Sequence, residues 1–141
     1  MANTHAARVP GWFWLVAGLA VLWEAMGVAS YVGQAYQLTP MDENQRRLVA
    51  STPAWVTGVY AVAVFSGLAG ALGLVLRRRW ATALLVLSLV AATLQFGWVI
   101  LFSEASRLLG PGSLVFPVVI IIVAALLAAF ARSATARGWL R

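Results

Sequence analysis

Apolar positions run nearly unbroken through four stretches of this chain, roughly Gly11 to Gly33, Ala54 to Leu76, Trp80 to Phe102 and Leu114 to Ala131. Polar residues gather between them. Each stretch holds about 20 residues, and at a rise of 1.5 Å per residue that length crosses a hydrocarbon core of about 30 Å. The pattern predicts an all-α integral membrane protein, a four-transmembrane-helix bundle formed by a single domain over residues 1–141. The short turn Arg77 to Arg79 makes the second and third spans adjacent and antiparallel.

Within the first span, Phe13, Ala17, Ala20, Glu24, Gly27 and Tyr31 share one face at 100° per residue. That face carries the span's strongly polar groups, so it is expected to point into the bundle. In the third span Leu84, Ser88, Ala91, Gln95 and Phe102 form a comparable face, turned inward by the need of Gln95 for a partner. The second span carries Ala63, Gly67 and Ala71 at small-xxx-small spacing, with Ser66, Gly70 and Tyr60 beside them. Such ridges let helix backbones approach closely in lipid, and helix packing is the expected role of Ala63, Gly67, Gly70 and Ala71. The fourth span has no polar side chain. It faces lipid broadly or makes an oligomer contact through Ala124, Ala128 and Ala131.

The connections carry their own signals. Thr39-Pro40-Met41-Asp42 reads as a helix start with Thr39 as N-cap, opening a short surface helix to about Ala50. Thr52-Pro53 repeats the signal before the second span. Ser113 is placed to cap the fourth span, with Pro117 in or near its first turn, where proline is tolerated. Glu104 and Arg107 are spaced to form a solvated pair of little energetic weight.

Composition supports the membrane reading: 62% of residues are hydrophobic, 10% are charged, and mean hydropathy is +0.89. A soluble domain has about 25% charged residues. The net charge of +6 belongs to helix ends, so topology explains it better than nucleic-acid binding. Arg8, Arg77, Arg78, Arg79, Arg132, Arg137 and Arg141 fall on one side of a four-span protein, against Arg46, Arg47 and Arg107 on the other. This bias predicts that both termini are cytoplasmic. The first stretch could be read as a signal peptide ending at Val28-Ala29-Ser30. Its length, its tryptophans and Glu24 favour a span instead. Trp12, Trp14, Trp55, Trp80 and Trp139 lie near span ends, as interfacial anchors do.

Chemistry narrows quickly. The chain has no cysteine and no lysine, which removes thiolate and Schiff-base mechanisms. His5 has no ligand company, so no metal and no other cofactor is expected. No Ser/His/Asp set, phosphate loop or acid pair is present, and an enzyme is not expected. Glu24 stands out. A carboxylate near the bilayer centre costs about 2.5–3.5 kcal/mol, and such a residue marks a proton route, a cation route or a binding site. As an alternative it links the first span to Gln95 or Ser88 as interhelix glue. Tyr31, Gln34, Tyr60 and Trp98 either ring a hydrogen-bonding mouth of the kind sugars favour or act as boundary aromatics.

The run Trp23-Glu24-x-x-Gly27-x-x-x-Tyr31-x-x-Gln34 resembles the first helix of a family of small bacterial four-span inner-membrane proteins. Pro53-Ala54-Trp55-Val56, Arg78-Arg79-Trp80-Ala81, Leu87-Ser88-Leu89, Gln95-Phe96 and the tail Ala131-Arg132-Ser133-Ala134-x-x-Arg137-Gly138-Trp139-Leu140 extend the likeness over nearly the whole chain. Members commonly carry the label "sugar transporter". The resemblance implies a solute transporter or channel subunit, and the inward polar faces make Glu24, Tyr31, Gln95 and Ser88 the candidate substrate- or proton-binding residues. Many members carry Asn where this chain has Glu24, which an obligatory proton carrier could not be. Four short spans leave little internal volume once packed, so a homo-oligomer is expected to form the path. The competing expectation is an accessory or scaffold protein whose polar face meets another membrane protein.

Overall fold

A computed structural model describes residues 8–141 as an all-helical bundle, and His5 lies outside that range. Four long helices form it: α1 (Gly11–Ala35), α3 (Ala54–Val75), α4 (Trp80–Phe102) and α6 (Val115–Ala136). Two short helices, α2 (Glu43–Ser51) and α5 (Ala105–Leu109), lie in the connections at the end away from the termini. A 3₁₀ turn, Pro111–Leu114, leads into α6. The four long helices are each apolar and long enough to cross a membrane. Helical geometry suits that setting, because it satisfies every backbone polar group within the segment.

The long helices stand in a row, α1 against α3, α3 against α4, α4 against α6. The row curls so that α1 and α6 meet at its open edge through aromatic rings: Phe13 stacks on Phe130 at 5.6 Å, and Trp23 lies 6.4 Å from Phe116. Burial on α1 follows the predicted face, with Phe13, Ala17, Ala20 and Glu24 buried and Gly27 and Tyr31 half-buried. The α4 face is rotated from the expected one. Ala81, Leu85, Ser88, Ala91, Ala92 and Gln95 are buried, whereas Leu84 is half-buried and Phe102 is 73% exposed. Leu84 and Phe102 are 18 residues apart and share one azimuth, which lies at the rim of the buried arc.

Ala63, Gly67, Gly70 and Ala71 are all buried on α3, and so is Gly73, which the small-residue spacing had not marked. A methyl group on Gly73 would lie 2.9 Å from Cβ of Ala81, and one on Gly70 would lie 3.2 Å from the backbone nitrogen of Leu85. The two backbones therefore approach closely along much of the hairpin.

Ala124, Ala128 and Ala131 are buried within the chain's own bundle, so they are not available as an oligomer contact. The small residues give α4 and its neighbours room, while Val115, Phe116, Val118, Ile122 and Leu126 point outward. The helix also continues past Ala131 to Ala136, because the segment Arg132 to Ala136 contains no helix breaker and Thr135 bonds Thr82 of α4 at 3.0 Å.

Three caps differ from expectation. Asp42, not Thr39, starts α2: its carboxylate accepts from the Gln45 backbone at 2.8 Å, and the Gln45 side chain answers at 3.1 Å. Thr39 instead packs on Gly33 of α1. Pro53, not Thr52, is the N-cap of α3, and the Thr52 hydroxyl donates to the Leu48 carbonyl at 2.8 Å. Ser113 lies inside the 3₁₀ turn and donates to the Gly110 carbonyl at 2.7 Å. Reciprocal side-chain bonding satisfies two donors at once, which favours Asp42 over the isolated threonine.

Helices α1, α3 and α6 all end in the same left-handed motif. The residue after each C-cap is Gln37 (φ 53°), Arg77 (φ 55°) and Gly138 (φ 74°). The amide two positions past each C-cap bonds back, as Leu38 to Gly33, Arg78 to Gly73 and Trp139 to Ala134. Left-handed backbone costs a non-glycine residue about 1–2 kcal/mol. Gln37→Gly is therefore expected to raise stability by about 1 kcal/mol, or about 3–5 °C in a detergent melt. Arg77 is a poorer target, since its Nε donates to the Trp139 carbonyl at 2.8 Å.

Candidate functional site

The α1–α3 contact runs antiparallel with Tyr31 opposite Tyr60, Gly27 opposite Val64 and Glu24 opposite Gly67. Gly67 is where the third helix joins. A methyl there would collide with Oε2 of Glu24 and lie 2.9 Å from Oγ of Ser88. The absence of a side chain at Gly67 thus creates the space that the Glu24 carboxyl occupies, between α1, α3 and α4. Glu24 is 8% exposed.

The hydrogen bonds of α4 bypass Glu24. Ser88 donates to the Ala63 carbonyl at 2.7 Å, tying α4 to α3 rather than to Glu24. Among the described residues Glu24 makes no hydrogen bond to either Ser88 or Gln95, and Oε1 of Gln95 is buried without a donor. Glu24 also has no ion-pair partner there. The two ion pairs among the described residues, Glu43–Arg47 at 3.1 Å and Glu104–Arg107 at 3.3 Å, are both solvent-exposed.

Above Glu24 the helices line a partly open cavity of about 480 Å³. This volume lies in the range of small-molecule sites, about 300–1,000 Å³. All four candidate residues, Glu24, Tyr31, Ser88 and Gln95, line it, as do Gln34, Tyr60 and Trp98. Tyr31 and Tyr60 meet edge to face at 5.3 Å, and Phe65 continues the cluster at 5.9 Å from Tyr31. The expectation that four short spans leave little internal volume is overturned, because α1 and α6 are joined by rings instead of close backbone contact.

The two ends of the cavity differ. Away from the termini it is roofed by α2 and α5, which are joined by the Asn44 amide donating to the Leu108 carbonyl at 3.1 Å. Leu48, Thr52, Ala105 and Leu109 of this roof line the space below. Toward the termini the bundle is solid. Phe13, Ala17, Ala20, Leu74, Leu127 and Ala131 form one core cluster, closed by Trp139 and Leu140. Trp139 is 7% exposed and so is not a lipid-facing anchor, whereas Trp12, Trp14, Trp55 and Trp80 are about half exposed. Its ring packs 5.4 Å from Trp12 and 5.9 Å from Phe13, with the Arg137 guanidinium 5.2 Å from it. The tail is pinned by backbone bonds between Arg141 and both Arg77 (2.7 Å) and Arg79 (2.9 Å).

Sequence reading did not mark Trp23, Phe116 or the roof residues as part of the site. Trp23 precedes Glu24 in the run that carries the family likeness, which was a usable signal. Phe116 had none, since it is one apolar residue among many. Compared with family models, curated proteins and solved structures, the chain matches none.

Proposed function

We propose that this protein is a small solute carrier of a bacterial inner membrane, with both termini cytoplasmic, and that the cavity ending at Glu24 holds the solute. The observation that carries this reading is the cavity itself. It reaches Glu24 from the end away from the termini and stops at a closed core. A cavity roofed by two short helices at one end and ending in a solid core at the other suits a carrier, whose site is covered between its two access states, better than a channel, which needs a continuous path. The arginine bias supports the orientation, and the family likeness supports transport of a small polar solute such as a sugar. A homo-oligomer remains part of the proposal, with each chain holding its own site rather than sharing a path between chains. Glu24, Ser88 and Gln95 are buried in their own bundle, so the face expected to meet a partner's spans is turned inward, which favours the carrier over the scaffold.

Reconstitution into vesicles with sugar and pH gradients tests the proposal. Glu24→Gln keeps size and shape, and Glu24 has no bond to lose among the described residues. It is expected to abolish flux while shifting the melting temperature by less than about 2 °C. Unchanged flux in Glu24→Gln would remove Glu24 from the transport step.

A further inference from the structure

The cavity's chemistry is one-sided. Among its lining residues Glu24 carries the only formal charge, and no arginine reaches it. The carboxyl has no cationic partner among the described residues, and Oε1 of Gln95, on a side chain 7% exposed, has no donor. Buried ionisable groups within a membrane are normally paired, because an uncompensated charge there is costly. At its Glu24 end the site therefore lacks a positive charge and donors for two acceptors, the Glu24 carboxyl and Oε1 of Gln95. An ammonium group supplies both, with three donors and no acceptor, whereas each sugar hydroxyl would bring further acceptors. Trp23, Tyr31, Tyr60 and Trp98 add aromatic faces, which attract cations.

The open edge of the helix row adds the second element. Between α1 and α6 the cavity is bounded by Met26, Phe116 and Ile120, and Met26 and Phe116 are 65% and 62% exposed on the outer surface. The tilted pair Trp23 and Phe116 bridges the edge at this depth. An apolar chain can lie in this seam while its head reaches Glu24.

We infer that the cavity takes a single-chain amphiphile with a protonated amine head, admitted sideways from the bilayer between α1 and α6. The head sits against Glu24 and Gln95, and the chain lies in the seam. This inference rests on the cavity being the protein's binding site, and it puts a lipophilic amine in that site in place of the sugar that the family likeness suggests.

Radiolabelled octylamine, titrated onto the protein in nanodiscs with empty nanodiscs subtracted, tests it. Saturable binding is expected at one per chain. Losing a buried charge partner should weaken it by about 30-fold or more in Glu24→Gln. Phe116→Ala, at an exposed position that leaves folding intact, should weaken octylamine severalfold. Unlabelled methylamine and octanoate should compete poorly, and octyl glucoside should compete no better. If octyl glucoside binds and octylamine does not, the head is neutral: the inference falls and the cavity still stands as a binding site. Equal competition by methylamine and octylamine would remove the seam from the site. If none of these probes binds and Glu24→Gln carries flux like the parent, the carrier reading itself falls.

Discussion

Gly70→Leu is expected to push α3 away from α4 and lower the melting temperature in detergent by about 10 °C. A side chain at Gly70 meets Cγ of Leu85 at 2.7 Å and, behind it, the Leu85 backbone nitrogen at 3.2 Å. The Leu85 side chain could rotate away from one methyl, but the α4 backbone cannot. Adding methylenes to a packed site costs about 1–3 kcal/mol, and leucine places four carbons where none fit. In lipid the loss is not offset elsewhere, because helix association there depends on close packing rather than on water exclusion. Gly58 and Gly97 provide the contrast, since a methyl on either meets nothing within 4 Å. Gly58→Ala and Gly97→Ala should melt at or slightly above the parent temperature, as alanine favours a helix by about 1 kcal/mol. A thermal-shift series over these three variants checks the ranking. Equal melting temperatures for Gly70→Leu and the two alanine variants would mean that α3 and α4 are not in close contact.

The same contacts explain how far the sequence could be read. The spans and the α1 face were legible because a polar residue in an apolar run must turn inward, and Glu24 alone orients that helix. The small-residue ridge was legible only in part. Ala63, Gly67 and Ala71 follow a four-residue spacing, whereas the glycines that meet α4, at 67, 70 and 73, follow a three-residue spacing set by the crossing of the two helices. A crossing angle is a property of the pair and is not written in either helix. Helix ends were read closely where Pro marks one, as at Pro53, and poorly where α6 runs past Ala131 to Ala136 or where Gln37 and Arg77 adopt the glycine conformation. The cavity could not be foreseen, because it depends on α1 and α6 staying apart at Glu24 while Phe13 and Phe130 hold them together lower down. The inward turn of Ala124, Ala128 and Ala131 was equally hidden, since an all-apolar helix shows no contrast between its faces.

Trp139→Ala is expected to have the largest effect on stability of any single change outside the helix contacts. Burial of the ring is nearly complete, and it touches Trp12, Phe13 and the Arg137 guanidinium at once. Truncating a buried tryptophan costs about 3–5 kcal/mol, which corresponds to about 10 °C or more in melting temperature. Trp139→Phe, which keeps a ring between Trp12 and Phe13, should recover most of the loss. The change also reaches function, because Trp139 and Leu140 close the end of the bundle that the cavity does not reach. Since the chain has no cysteine, Ala17→Cys reports access to the core below Glu24 without background. Ala17 is fully buried, so this cysteine should resist a water-soluble maleimide in the otherwise unchanged protein and react once Trp139→Ala is added. If stability falls while the cysteine stays protected, the seal is the packing around Ala17 itself, in Phe13, Leu74 and Leu127. The tail then only staples the Arg77 to Arg79 turn. Reaction would instead make the tail the barrier between Glu24 and the side on which the termini lie, and its release the step that a carrier needs to expose its site to that side.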